Sequence, residues 1–231
     1  GGLIAAMVAA RNPRVAFVIN MAGPAVRGYD VLVVQAERLF RSLGLEESQI
    51  TRLRAEHRMT LDLIAAGNWA VLEAGLYEQT LAALRGLPEE QRRRIGDLDA
   101  AARTQTHKVL VYFRGWVQFF ITHDPGQDWA RVKSPVLSLF GVLDVQVDWK
   151  QNGSALEAAL GRALNHDVTT VIFPRANHLF QDAVTGSTRE YASLRAAFVP
   201  AFLPTISAWL SERFGVRHRP GPVLDRHLGV R

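Results

Sequence analysis

Cysteine is missing altogether from this 231-residue sequence, which removes disulfides and thiolate metal sites and leaves the redox compartment unmarked. Charge is sparse as well. Charged residues make up 21% of the chain against 48% hydrophobic ones, a balance that excludes wholesale disorder and supplies enough apolar surface for a sizeable core. No apolar run is long enough to cross a bilayer. Lysine is scarce: of 27 basic residues, only Lys108, Lys133 and Lys150 are lysines. A net charge of +5 would suit a nucleic-acid binder if it were gathered on one face. Instead, Arg217, Arg219, Arg226 and Arg231, against Asp225, carry most of the excess at one end of the sequence. The run Arg92-Arg93-Arg94 lies beside Glu89 and Glu90, as on a solvated helix face. Neither a nucleic-acid partner nor a membrane is expected.

What is present centres on the stretch from Ser134 to Asp144. Its unbroken apolar run, opened by Pro135 and rich in Val and Leu, predicts a strand buried on both faces, the mark of a parallel sheet with helices on either side. The run stops on a carboxylate. Open α/β sheets place their chemistry beyond the carboxyl ends of such strands. A second strand is predicted at Val168–Phe173, and the loop after it delivers His178 to the same edge. Asp144 and then His178, each in a loop after a parallel strand, form the acid and base of a catalytic triad, with Asp148 as the reserve acid. The plainer readings are a turn or helix-capping aspartate and a loop histidine without a role. His57 and His107 fall in predicted helices, and His123 falls at a helix end. No pair among the seven histidines has metal-ligand spacing, so no metal and no organic cofactor is expected.

A triad also needs a nucleophile, and no serine in the sequence stands in a Gly-x-Ser-x-Gly turn. The chain opens instead on Gly1-Gly2 followed by the apolar run Leu3 to Ala10, which predicts the helix that follows such a turn. The expectation is a piece that begins just after its own nucleophile, the serine standing two residues before Gly1 and Gly1-Gly2 being the remnant of the elbow. A third strand is predicted at Val15–Asn20, ending in the turn Met21-Ala22-Gly23-Pro24.

From about Ala25 to Asp128 the periodicity is helical throughout. Tyr29, Leu32, Val33, Ala36, Leu39, Phe40 and Leu43 share one stripe that Gly44 closes. Further helices are predicted near 50–64, 70–84, 88–103 and 106–122, Pro88 with Glu89 and Glu90 making a helix start. A helical block of this length between two strands reads as a cap inserted over the strand tips. Met21, Trp116, Phe119, Phe120 and Phe180 are the candidate walls of a substrate pocket, although aromatics at helical spacing more often pack a core. Later helices are predicted at 148–160 and 202–214. The domain reading is therefore a sheet core over 1–24, a cap over 25–128, a sheet core carrying Asp144 and His178 over 129–213, and a basic tail over 214–231 expected to lack order.

These residues resemble a known family. Gly1-Gly2-Leu3-Ile4-Ala5, Met21-Ala22-Gly23-Pro24 and Phe119 through Pro125 carry the likeness in the first half. Pro135-Val136-Leu137, Gly141 through Val147, Asn177-His178-Leu179-Phe180-Gln181, Glu190-Tyr191 and Trp209 carry it in the second. Together they are similar to the bacterial α/β-hydrolases of the carboxylesterase type, often grouped with serine aminopeptidases and dienelactone hydrolase-like proteins. The likeness covers nearly the whole sequence except the tail, and the segments around Asp144 and His178 are its most discriminating parts. It implies the carboxyl-terminal part of an α/β-hydrolase parallel sheet with an inserted helical cap. The implied activity is hydrolysis of carboxylic esters through an acyl-serine, on a small-molecule ester or a short peptide, by the intact protein. Aminopeptidase-like amide hydrolysis and a non-catalytic binding role are the alternatives. The sequence departs from the family in lacking the nucleophile and the oxyanion-hole loop, so the chain as given is expected to be inactive.

Overall fold

The computed structural model describes residues 1–215. At its centre is a three-stranded, wholly parallel sheet in the order β1 (Val18–Met21), β2 (Val136–Gly141), β3 (Val168–Phe173). Val18 lies opposite Val136, and Val136 opposite Val168, so the strands start level and all point their carboxyl ends to one edge. Every residue of β2 is buried, because both faces of the sheet are covered. On one face Val136 and Phe140 pack with Ala6, Trp129, Leu156 and Leu160, which come from α1 (Gly2–Ala9), α8 (Pro125–Trp129) and α9 (Trp149–Arg162). On the other, Leu137 and Leu139 pack with Phe173, Phe202 and Trp209, the last two from α10 (Phe202–Phe214). Alternate residues thus serve opposite layers, as the period of a strand requires. Burying side chains on both faces at ~25 cal/mol per Å² makes β2 the best-anchored element.

The expected strand at 15–20 is shorter in the structure. Val15 N–H bonds the Asn12 carbonyl in a turn, and the ladder begins only at Val18, whose N–H meets the Pro135 carbonyl at 2.8 Å. β3 is partly exposed along most of its length, since it is an edge strand.

Between β1 and β2 stand α2 (Gly28–Ser42), α3 (Glu47–Ala65), α4 (Trp69–Arg85), α5 (Glu89–Ile95), α6 (Leu98–Tyr112) and α7 (Gln118–Thr122). Val33, Leu61, Ile64, Leu72, Leu110, Val117 and Ile121 form their own apolar cluster. Two expected boundaries move. The predicted helices 88–103 and 106–122 break instead at Gly96, whose φ of +78° is a left-handed value that favours glycine. Asp97 then caps α6 by accepting from the Ala100 N–H at 3.0 Å. Nothing at Thr104 or Gln105 interrupts the helix, so α6 runs on through a wider π turn, Phe113–Val117, into α7. Asp124 caps α8, accepting from the Gly126 N–H at 3.0 Å. The helix expected at 202–214 is observed with those bounds and stops at Gly215, φ +62°. Of the tail at 214–231, Phe214 is the last helical residue and its ring packs on Phe17 and Trp209. Residues 216–231 lie outside the described residues. Among the described residues, no helix is long and apolar enough to cross a membrane.

His57 in α3 has its Nε2 buried without a hydrogen-bond partner, and burial pushes its imidazole below the ordinary histidine range. The unfolded chain therefore binds the proton more readily than the folded one, so stability is full above about pH 6.5 and falls as the pH drops below it. Urea denaturation of His57→Gln should show a flatter loss of stability between about pH 6.5 and 5 than the unsubstituted protein.

Candidate functional site

Beyond the carboxyl end of β2 the chain turns at Gly141 and reaches Asp144, which is wholly buried. A side chain at Gly141 would run into the Ala176 carbonyl, so the loops after β2 and β3 touch there, and only glycine allows it. Three backbone bonds stitch the two loops and the turn: Val142 N–H to the Phe173 carbonyl at 3.0 Å, Leu143 N–H to the Ala176 carbonyl at 3.1 Å, and Asp144 N–H to the Gly141 carbonyl at 3.3 Å. Asp144 Oδ1 accepts from the Gln146 N–H at 2.7 Å and the Val147 N–H at 2.9 Å. Its other oxygen, Oδ2, lies 2.8 Å from His178 Nδ1. The His178 side chain is 28% exposed. The loop therefore buries the acid and leaves the imidazole accessible.

The histidine loop is built with equal care. Asn177, itself wholly buried, accepts from the N–H groups of Leu179 and Gln181, each at 2.9 Å. Phe180 adopts φ +57°, unusual for an aromatic residue, and its ring lies in the core, 4.5 Å from Phe202 and 6.0 Å from Phe173 between centroids. This corrects its assignment to a pocket wall: the turn swings Phe180 inward to anchor the loop.

Four further residues hold the pair and were not singled out for this work in the sequence; the bonds of Tyr191 and Arg38 span long separations. Gln146 Nε2 donates to the Tyr191 phenol at 3.1 Å. The backbone of His178 also bonds that phenol, whose pKa is raised chiefly by burial, so one ring braces both loops. Glu190 accepts from the Thr185 N–H at 3.2 Å and the Gly186 N–H at 2.5 Å. Arg38, in α2, donates from Nη1 to the Asp144 backbone carbonyl at 3.1 Å and pairs with Asp148. The reserve acid Asp148 is the cap of α9, accepting from the Gln151 N–H at 2.7 Å, and among the described residues the carboxylate that meets His178 is that of Asp144.

The other residues fall around this pair in different ways. Gly2 abuts Gly23, and a side chain there would also lie 2.7 Å from Asn20 Oδ1; the first turn of α1 thus sits at the carboxyl end of β1, on the edge that holds Asp144 and His178. Gly1 has open space around it. Met21, at the tip of β1, is 45% exposed. Trp116 stacks on Phe120 at 5.9 Å and lies 5.7 Å from Phe119, which stacks on His123 at 5.1 Å. Gly28 lets this row seat on the start of α2, since a side chain there would strike Phe120. Among the described residues no ring contact joins the row to His178, and no group of three or more His, Asp and Glu side chains could hold a metal ion.

Gly186, at φ +76°, lies so close to the Leu143 carbonyl that any side chain would collide with it. Gly186→Ala should lower stability by about 2 kcal/mol or more in urea denaturation. It should also weaken the downfield NMR resonance of the His178 Nδ1 proton, because the loop that backs Asp144 must move.

No family model matches the chain, and no curated protein matches it. Solved structures do. A protein described as a candidate dienelactone hydrolase from Klebsiella pneumoniae subsp. pneumoniae is 21% identical, with 40% of this chain and 35% of that one covered and a TM-score of 0.30. Esterase E22 is 18% identical, with 78% of this chain and 54% of that one covered and a TM-score of 0.36. A point variant of the same esterase is 16% identical, covers 83% and 57%, and has a TM-score of 0.37. The chain thus spans between about a third and just over half the length of these structures.

Proposed function

We propose that Asp144 and His178 are the acid and base of a serine hydrolase of the α/β-hydrolase type, which cleaves carboxylic esters through an acyl-serine intermediate. The observation that carries this reading is the 2.8 Å contact of His178 Nδ1 with the buried Asp144 carboxylate, on two loops at the same edge of a parallel sheet. A serine hydroxyl becomes a competent nucleophile only when a base takes its proton. Here Nδ1 donates to Asp144, which fixes the tautomer and leaves Nε2 to accept the serine proton. The serine oxygen then bonds the ester carbonyl carbon, and the imidazolium passes its proton to the departing alcohol. Water repeats the cycle on the acyl-serine, giving Nε2 its proton as the new bond forms and regenerating the serine as the acid leaves.

In this reading the nucleophile is a serine two residues before Gly1. The packing of Gly2 against Gly23 and Asn20 supports it, because it seats the start of α1 at the carboxyl end of β1, the sheet edge from which the Asp144 and His178 loops leave. The 231 residues alone then hold an acid and a base without a nucleophile and are inactive. Met21, Trp116 and Phe119, each exposed, are the apolar surfaces offered to the substrate.

The test uses a chain that carries the Gly-x-Ser turn ahead of Gly1. A fluorophosphonate probe should label its serine, and a chromogenic ester should be turned over with a burst of alcohol. Asp144→Asn should lower kcat by about 10⁴-fold, with little change in KM, and His178→Ala by a similar factor. Turnover undiminished in His178→Ala sinks the reading, and hydrolysis of an aminoacyl amide in preference to the ester moves it to the peptidase side.

A further inference from the structure

We propose that Arg38 is a positioning residue for this site: from the helical block it clamps both ends of the turn that carries Asp144 and so holds the acid against His178. The inference rests on the reading of Asp144 and His178 as acid and base. It concerns a residue far away in sequence, on an element that contributes nothing else to the pair.

The turn from Asp144 to Asp148 is short, and the Asp144 side chain secures only its middle, through the N–H groups of Gln146 and Val147. Its two ends are held by one guanidinium. Nη1 of Arg38 donates to the Asp144 carbonyl, while Nη2 pairs with Oδ2 of Asp148, whose other oxygen starts α9. A planar fork can satisfy a carbonyl and a carboxylate at once, whereas a lysine ammonium is a point charge without that geometry. Arg38 is half-buried, and burial pulls its pKa down while the charge on Asp144 holds it up. The clamp therefore places one positive charge and the matching negative charge of Asp148 beside the acid.

Of the other charged groups on these loops, Arg175 and Asp182 pair with each other at 2.6 Å. Tyr191 is a phenol whose pKa is raised, and the Glu190 carboxylate is taken up by the amides of residues 185 and 186. Arg38 and Asp148 are therefore the partners whose separate removal changes the local charge. Arg38→Met leaves Asp148 uncompensated next to Asp144, which favours the imidazolium. Asp148→Asn leaves Arg38 uncompensated, which disfavours it.

The experiment is an NMR titration of the histidine ring carbons in the 231-residue protein, which needs no turnover. Arg38→Met should raise the His178 midpoint by half a pH unit or more. Asp148→Asn should lower it, and the double variant should return it toward the starting value. Arg38→Lys should keep the midpoint while weakening the downfield Nδ1 proton signal. Single variants that move the midpoint in the same direction, or not at all, overturn the placing of both charges beside the pair, and an Nδ1 proton signal as strong in Arg38→Lys as in the unsubstituted protein overturns the clamp itself. If Arg38→Met fails to fold, Asp148→Asn decides alone, and a rise or no shift in it overturns the proposal. Ester turnover undiminished in His178→Ala of the chain that carries the Gly-x-Ser turn, with these shifts intact, would instead count against the acid–base reading.

Discussion

One hydrogen bond, between His178 and Asp144, depends on two loops keeping a fixed spacing, and much of the surrounding structure is arranged to keep it. Loops are ordinarily the mobile parts of a fold. These two are not free to drift, because each is tied to the other and to the sheet. Gly141 and Gly186 are places where one backbone runs directly against another, which leaves no slack for a side chain. Asn177 and Asp144 spend their side-chain oxygens on nearby N–H groups, so each loop is closed on itself. The constraint is geometric, since a donor and acceptor displaced by an ångström lose most of their interaction.

The anchoring is supplied by β2. Its neighbours on both faces bury it completely, so the acid loop leaves the sheet from a fully enclosed strand. β3 is an edge strand and half-exposed, and its loop compensates by driving Phe180 into the core. The positive φ at Phe180 costs on the order of 1 kcal/mol or more, and burial of a whole aromatic ring offsets it at about 25 cal/mol per Å².

Much of this was legible in the sequence, and the physical reasons differ by element. The run Val136–Gly141 announces its two-sided burial because no polar residue except Ser138 interrupts it, and that hydroxyl is satisfied by Asn20 Nδ2 at 3.1 Å. Asp144 and His178 could be found because each follows a strand of obvious composition. The break at Gly96 was missed, although a glycine followed by a capping aspartate is a visible stop and start. Phe180 was misplaced for the converse reason: an aromatic two residues from the histidine looks like a pocket wall until the turn is seen to point it inward. Arg38 gave no local signal at all, its partners standing over 100 residues away.

That last case bears on how the helical block joins the sheet. The helical block has an apolar cluster of its own, joined to the one on the sheet through Phe120, which packs against both, and through Val31 of α2, which belongs to the sheet-side cluster. Much of what ties it to the rest is polar and specific. Asn152 of α9 accepts from the Ala25 N–H at 2.9 Å, Gln151 Nε2 donates to the Asp30 carbonyl at 3.2 Å, and Trp129 Nε1 donates to the Pro24 carbonyl at 3.3 Å. Together with Arg38 these contacts converge on the segment after β1 and the first helix of the block. Apolar surfaces can slide over one another at little cost, whereas paired donors and acceptors fix a register because leaving them unmade is expensive. The segment after β1 and the first helix of the block are therefore tied to the same end of α9 whose cap, Asp148, meets Arg38, and their seating and the placement of Asp144 become a single structural fact.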